Sequence, residues 1–155
     1  MKGKVAAGSL AALVVMMTAW FVKPWEGTEP TGYLDIVGVA TACTGHTGEG
    51  VVAGKRYTPE QCREWLESDI GIAVEGVDAC ITRPMKSYEW ASFASLAFNV
   101  GVPTFCRSSV ARLFNAGDAA GACKAIGLYV YAGGRKVQGL INRREAEIEL
   151  CEGNV

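Results

Sequence analysis

Hydrophobic positions follow three different rhythms along this chain. Val5 to Val22 is an unbroken run without a charge. As a helix it would span about 27 Å, close to the hydrocarbon thickness of a bilayer. Residues 33–57 instead show short β-type runs punctuated by Gly38, Gly45, Gly48, Gly50 and Gly54, which predicts a small irregular antiparallel sheet with exposed loops. From Thr58 onward the pattern is helical. Thr58-Pro59-Glu60-Gln61 reads as a helix start, with Thr as N-cap, Pro at the first helical position and Gln61 completing a capping box, and the helix is expected to reach about Val77. Arg83-Pro84 breaks the chain. Residues 87–98 read as a buried helix carrying Trp90, Phe93, Leu96, Ala97 and Phe98, stopped by Asn99-Val100-Gly101. Short helices follow over Ser108 to Asn115 and over Ala119 to Ile126, the second capped by Asp118. A last amphipathic helix is expected over 136–151, with Val137, Leu140, Ile141, Ile148 and Cys151 on one side and Arg143, Arg144, Glu145, Glu147 and Glu149 mostly on the other. The sum is an α+β architecture: a small antiparallel β-region, a predominantly helical domain, and an N-terminal apolar helix.

The N-terminal run divides the chain into residues 1–23, an anchor, and residues 24–155, a folded domain. Lys2 and Lys4 on one side, against Lys23 and then acids on the other, orient the N-terminus to the cytoplasm and the domain outside. A cleaved signal peptide needs a shorter apolar region and a small-x-small site, whereas this run closes on Trp20-Phe21-Val22-Lys23-Pro24. The anchor is weakly apolar: Ala, Gly, Ser or Thr fills positions 6 to 9, 11, 12, 18 and 19. Such residues gain little from lipid, so they suit either tight helix packing or a segment able to leave the bilayer.

Charge narrows the function. The chain carries net −1, but positions 1–23 hold three lysines and no acid, so the remainder is net −4. That balance excludes a nucleic-acid binder, whose affinity comes from a basic face. The six cysteines at 43, 62, 80, 106, 123 and 151 all lie outside the apolar run, which in an exported domain reads as a disulfide framework of open connectivity. There is no CxxC pair and only one histidine, so zinc held by Cys43, His46 and Cys62 is disfavoured, and so is a zinc amidase. A cysteine hydrolase built on Cys43 and His46 is disfavoured too, since the two are close neighbours in sequence and no oxyanion element accompanies them. No cofactor or metal is implied.

One spaced set bears chemistry: Glu26, Asp35, Thr41 and His46. Cleaving a glycosidic bond requires a protonated carboxyl for the leaving oxygen and a second, ionised group to position water or stabilise positive charge on the sugar. Glu26, beside Trp25, suits the first role and Asp35 the second. Thr41 offers a small hydroxyl to hold water, and His46 on its own reads as a structural hydrogen-bonding group.

Glu26-Gly27, Tyr33, Asp35, Gly38, Thr41 and Gly45-His46-Thr47 together resemble the phage lysozyme (endolysin) family, glycoside hydrolase family 24. The stretches YTPEQC at 57–62, FASLAFNVGVPTFCRSSVARLFNAGD at 93–118 and YAGGRKVQGLINRREAE at 131–147 agree, so the resemblance covers residues 25–151. It implies a lysozyme-like fold and a muramidase that hydrolyses the β-1,4 bond between N-acetylmuramic acid and N-acetylglucosamine of peptidoglycan with inversion. Glu26 would be the general acid, Asp35 and Thr41 would hold the attacking water, and His46, Tyr33 and Asn99 would stand near the site in substrate-binding or structural roles. The N-terminus is similar to signal-anchor-release endolysins, in which an exported anchor tethers an inactive enzyme to the host inner membrane and later leaves it for the periplasm. Only Lys23, Pro24 and Trp25 separate the run from Glu26, a reach of at most about 10 Å, so an inserted anchor at 5–22 would hold the acid at the headgroups. The freed anchor is expected to pack as a helix on a monomeric domain. Two departures stand out: the anchor lacks the cysteine that some relatives use as a switch, and Leu128-Tyr129 replaces a tryptophan common before the YAGG stretch. Beside this resemblance we expect disulfides Cys43–Cys62 and Cys123–Cys151, leaving Cys80–Cys106. The alternative of another class is a non-catalytic, membrane-anchored periplasmic binding or adaptor protein.

Overall fold

A computed structural model describes residues 9–154. Helix α1 (Ser9–Val22) leads into strands β1 (Glu29–Leu34), β2 (Ala40–Cys43) and β3 (His46–Thr47). Helices α2 (Pro59–Cys80), α3 (Ser87–Val100), α4 (Val102–Cys106), α5 (Ser109–Asn115) and α6 (Ala119–Ala125) follow. A hairpin of β4 (Tyr131–Ala132) and β5 (Arg135–Lys136) precedes α7 (Gln138–Cys151). The first three strands form an antiparallel sheet in the order β1-β2-β3, with Tyr33 opposite Thr41 and Ala42 opposite His46. Gly32 lets the 52–55 loop close on β1: its amide donates to the Lys55 carbonyl, and a Cβ there would collide with the Val52 carbonyl oxygen.

The caps explain the helix boundaries. Thr58 Oγ1 accepts from the Gln61 amide at 3.1 Å, Ser108 Oγ from Ala111 at 3.2 Å, and Asp118 Oδ1 from Gly121 at 2.8 Å, each satisfying a first-turn amide. Gly101, at φ 93°, closes α3 in a conformation that side chains resist. Three expectations need correction in detail. Helix α2 continues past Val77 to Cys80, because only Pro84 forbids extension and Ile81 still bonds back to Val77. Helix α7 begins at Gln138 because residues 135 and 136 are drawn into the β4–β5 hairpin. Helix α4, started by Pro103, lies where a connection was expected.

Helix α3 is the axis of the domain: residues 91–97 are all buried, and α1, α2, α4 and α7 pack around it. Phe93 sits edge-on to Phe114 and tilted to Phe105, with ring centroids 5.2 and 5.6 Å apart, at the centre of the larger core. A second core joins Val14 and Val22 of α1 to Leu66, Ile70, Val74, Ala91, Ala94 and Leu150. The expected N-terminal helix is thus part of the domain's packing. By area, burying the two valines is worth on the order of 3 kcal/mol. Residues 1–8, including Lys2, Lys4 and the first part of the 5–22 run, lie outside the described residues, and among the described residues no helix is long and apolar enough to cross a membrane. All three expected disulfides are present: Cys43–Cys62, Cys80–Cys106 and Cys123–Cys151. Because Cys43 and Cys62 are joined, neither thiol is available to zinc or as a nucleophile.

Candidate active site

Glu26 is positioned from two directions. Past the end of α1, the amides of Trp25 and Glu26 both donate to the Val22 carbonyl, at 2.9 and 3.3 Å, so the turn that closes the helix also places the acid's backbone. Its side chain accepts from Arg143 of α7: Oε1 lies 2.6 Å from Nη1, with the glutamate side chain 25% exposed and the arginine 5%. A short charge-assisted bond of this kind fixes orientation as well as distance.

Arg143 is itself held. Its Nε lies 3.3 Å from Glu147 Oε1, and its Nη2 donates to the Ser95 carbonyl at 3.5 Å. Glu147 is fully buried and also accepts from Ser95 Oγ at 2.6 Å and Arg144 Nη2 at 3.1 Å. Arg144 Nε lies 2.7 Å from Glu147 Oε2, at an angle that makes this a contact of charges rather than a hydrogen bond. Burial pushes the Glu147 carboxyl up from the ordinary glutamate range, against the pull of Arg144, the Ser95 hydroxyl and Arg143. Burial likewise lowers Arg144, against the attraction of Glu147. Two carboxylates and two guanidiniums balance, which is the condition for keeping such charges inside a protein.

This corrects the expected facing of α7. Arg143, Arg144 and Glu147 point inward with Leu150 and Cys151, while Val137 is exposed and Ile141 and Ile148 are half-buried. Amphipathic reasoning sends charges outward and misses an inward set whose members neutralise one another. The available signal was their spacing, since Arg143 and Arg144 stand four and three residues before Glu147 and so share its side of the helix.

The acid opens on a cleft of about 330 Å³. The β2–β3 turn contributes Thr44 and Gly45, β3 contributes Thr47, α2 contributes Asp69, and the end of α3 contributes Phe98 and Asn99. Of the expected site residues, Glu26 and Asn99 line this cleft, while Asp35 and Thr41 stand on the adjoining β1–β2 hairpin. Asp35 closes that hairpin: Oδ1 accepts from the amides of Val37 and Val39 at 2.9 and 2.8 Å, and Oδ2 has no hydrogen-bond partner among the described residues. Thr41, 5% exposed, donates its hydroxyl to the Val39 carbonyl at 3.1 Å, so that its oxygen remains an acceptor. Tyr33, opposite Thr41, is exposed. His46 is occupied elsewhere: Nδ1 is 2.8 Å from Asp69 Oδ2 and the ring stacks on Trp65 at 4.5 Å. That pair ties β3 to α2, and the Cys43–Cys62 bridge ties β2 to the same helix. Cys43, at φ 58°, is the one non-glycine among the described residues in the left-handed region, one residue before the cleft wall. Such a backbone persists only where surrounding bonds over-determine it. Asp69, Arg143, Thr44 and Phe98 are the site residues not anticipated from sequence.

A family model described as phage lysozyme matches residues 23–147. The chain belongs to the phage lysozyme family. Its enzyme class is that family's, a glycoside hydrolase of the lysozyme type. Among relatives of this phage lysozyme it is 38% identical over 126 residues to the SAR-endolysin of Enterobacteria phage P21, covering 81% of this chain and 76% of that one. It is 36% identical over 155 residues to the SAR-endolysin of Pseudomonas phage phiKMV, covering 97% and 90%. Among solved structures, the active form of the P1 phage endolysin Lyz matches with TM-score 0.77 at 25% identity, covering 95% and 94% of the two chains. The secreted inactive form of that endolysin matches in fold with TM-score 0.57 at 24% identity, covering 94% and 96%.

Proposed function

We propose that the chain is an endolysin that hydrolyses the β-1,4 bond between N-acetylmuramic acid and N-acetylglucosamine, with Glu26 as general acid and with Asp35 and Thr41 holding the attacking water. The observation that carries this reading is the double fixation of Glu26, by the Val22 carbonyl on one side and Arg143 on the other, at the wall of a cleft sized for sugar rings. A positioned carboxyl gives its proton to the leaving oxygen as the bond breaks. Asp35 Oδ2 and Thr41 Oγ1 both retain acceptor capacity, which suits them to orient a water for attack on the opposite face of the sugar without a covalent intermediate. Arg143 acts through Glu26 as a positioning residue. Asn99 and Thr47 stand where a glycan would contact the cleft.

Control by residues 1–23 is the second half of the proposal. In the inner membrane the 5–22 segment would hold the enzyme facing the periplasm, and its exit would let α1 dock and carry Glu26 into place. The packed α1 and the placement of the Glu26 amide on its last carbonyl support the docked helix as the arrangement in which Glu26 works. The released enzyme acts as a monomer on glycan strands.

The test is to incubate the oxidised full chain and its Glu26→Gln variant with purified peptidoglycan and count new reducing ends. The expected outcome is a loss of about 100- to 10,000-fold in the variant, which still folds but unfolds at a lower temperature because Arg143 loses its charged partner. No reducing ends from the unsubstituted protein would defeat the muramidase reading in favour of a non-catalytic adaptor. Release has its own test: leucines in place of several small residues at 6–12 should delay lysis, and an unchanged schedule counts against it.

A further inference from the structure

We infer that Tyr33 is a sugar-stacking platform in a second saccharide subsite, at the β1 edge of the sheet and beyond the cleft, where an uncharged ring of the glycan strand rests. Three paired residues cross the sheet in one row. Tyr33 stands opposite Thr41, and Thr41 stands opposite Thr47. Residues paired across antiparallel strands project from the same face. Thr47, at one end of the row, lines the cleft that holds Glu26. Tyr33, at the other end, lies two strand spacings away, about 10 Å. The row thus leads from the cleft, past the threonine proposed to hold water, to an exposed aromatic ring. Tyr33 is 43% exposed and lies in none of the hydrophobic clusters among the described residues, where its hydroxyl also has no hydrogen-bond partner. Core packing therefore does not account for the ring. Beside it is a depression of about 490 Å³, lined by Glu29, Thr31, Gly32 and Tyr33, which shares no residue with the cleft.

Chemistry selects the occupant. An aromatic face takes the apolar C–H face of a pyranose ring, and hydroxyl and carboxylate groups around it bond the ring's hydroxyl and acetamide groups. Glu29 Oε1 accepts from the Thr31 amide at 3.0 Å, which leaves Oε2 as an acceptor for a sugar. The same carboxylate repels the acidic peptide stems of a cell wall, and a nucleic acid likewise. A peptide cannot add to this part of β1 as a further strand either, because residues 54–57 already occupy its outer edge. The Gly54 amide donates to the Gly32 carbonyl at 2.7 Å, the Gly32 amide to Lys55 at 2.8 Å, and the Tyr57 amide to Pro30 at 2.8 Å. An uncharged sugar ring remains. That the ring belongs to a glycan strand rests on the muramidase reading; the subsite adds binding energy from a ring remote from the bond that breaks.

The experiment uses the oxidised full chain and peptide-free glycan strands prepared from peptidoglycan: a tetrasaccharide that the cleft alone can hold and a decasaccharide that reaches β1. Counting reducing ends gives kcat and KM. Tyr33→Ala should raise KM for the decasaccharide about tenfold while kcat stays within about twofold, and should leave the tetrasaccharide unchanged. Tyr33→Trp, which restores a ring, should return KM towards that of the unsubstituted protein. A merely structural role would move both substrates together and lower Tm with them. An equal effect on the two lengths, a fall in kcat alone, or an unchanged KM in Tyr33→Ala would each overturn the subsite. Binding separates the subsite from the reaction. In the Glu26→Gln background, titration calorimetry should show the decasaccharide held about tenfold more weakly once Tyr33→Ala is added. That difference without reducing ends from the unsubstituted protein would keep the subsite and sink the muramidase reading. Reducing ends with no such difference would keep that reading and sink the subsite.

Discussion

Helices α1 and α3 have the same described length, 14 residues, and a similar small-residue, apolar composition, yet they play opposite parts. Helix α3 is enclosed on all sides, and its few polar groups are used to fasten it. Ser92 Oγ donates to the Glu147 carbonyl and Ser95 Oγ to its carboxylate, both at 2.6 Å, and Glu89 accepts from the Lys86 amide at 2.8 Å. Helix α1 buries a single stripe. Its one buried polar group among the described residues, Thr18, donates to its own helix at Val14, 2.7 Å away. Among the described residues, no side chain of α1 makes a hydrogen bond or ion pair to the rest of the domain, so dispersion and burial hold it there. Apolar content does not distinguish a helix at the centre of the core from one laid against it; where the polar atoms are directed does.

The contrast can be attacked at three levels. Phe93→Ala, at the aromatic centre carried by α3, should cost about 3–5 kcal/mol in denaturant unfolding and threaten folding itself. A cost below that of a surface change would mean that α3 is not the axis. Ser95→Ala should cost about 1–3 kcal/mol, because it strips a donor from a buried carboxylate. It should also lower reducing-end production by loosening Arg143, and full activity in a destabilised protein would separate the network from the acid. Thr18→Val should change stability by less than about 0.5 kcal/mol, since its hydroxyl serves only its own backbone. A cost as large as that of Ser95→Ala would show that α1 is fastened by a polar contact after all.

Much of this was legible in the chain. Thr58, Ser108 and Asp118 announce helix starts because capping is local: side chain and amide are three residues apart. The glycine-rich sheet follows from turn signals of similarly short range, whereas the cysteine pairs, 19, 26 and 28 residues apart, were expected without a local rule that fixes them. The site's second half was not legible, because the Glu26–Arg143 bond joins residues 117 apart, and no periodicity within α7 tells that an inward arginine will find a carboxylate arriving from the far end of the chain. The same holds for His46 and Asp69, 23 apart, where a polar pair forms across a sheet-to-helix boundary. Local rules read caps and faces; they are blind to charges that are buried because they neutralise one another.

The carbonyl of Val22 belongs at once to a helix and to an active site, since it accepts from the amide of the residue that carries the acid. Where the first helix ends is therefore felt at the backbone of Glu26 through a single hydrogen bond, with no relay of side chains between them. It also means that the boundary after residue 23, natural as it looks in the sequence, runs through the smallest working part of the enzyme, so that trimming the chain there would remove the gauge together with what it measures.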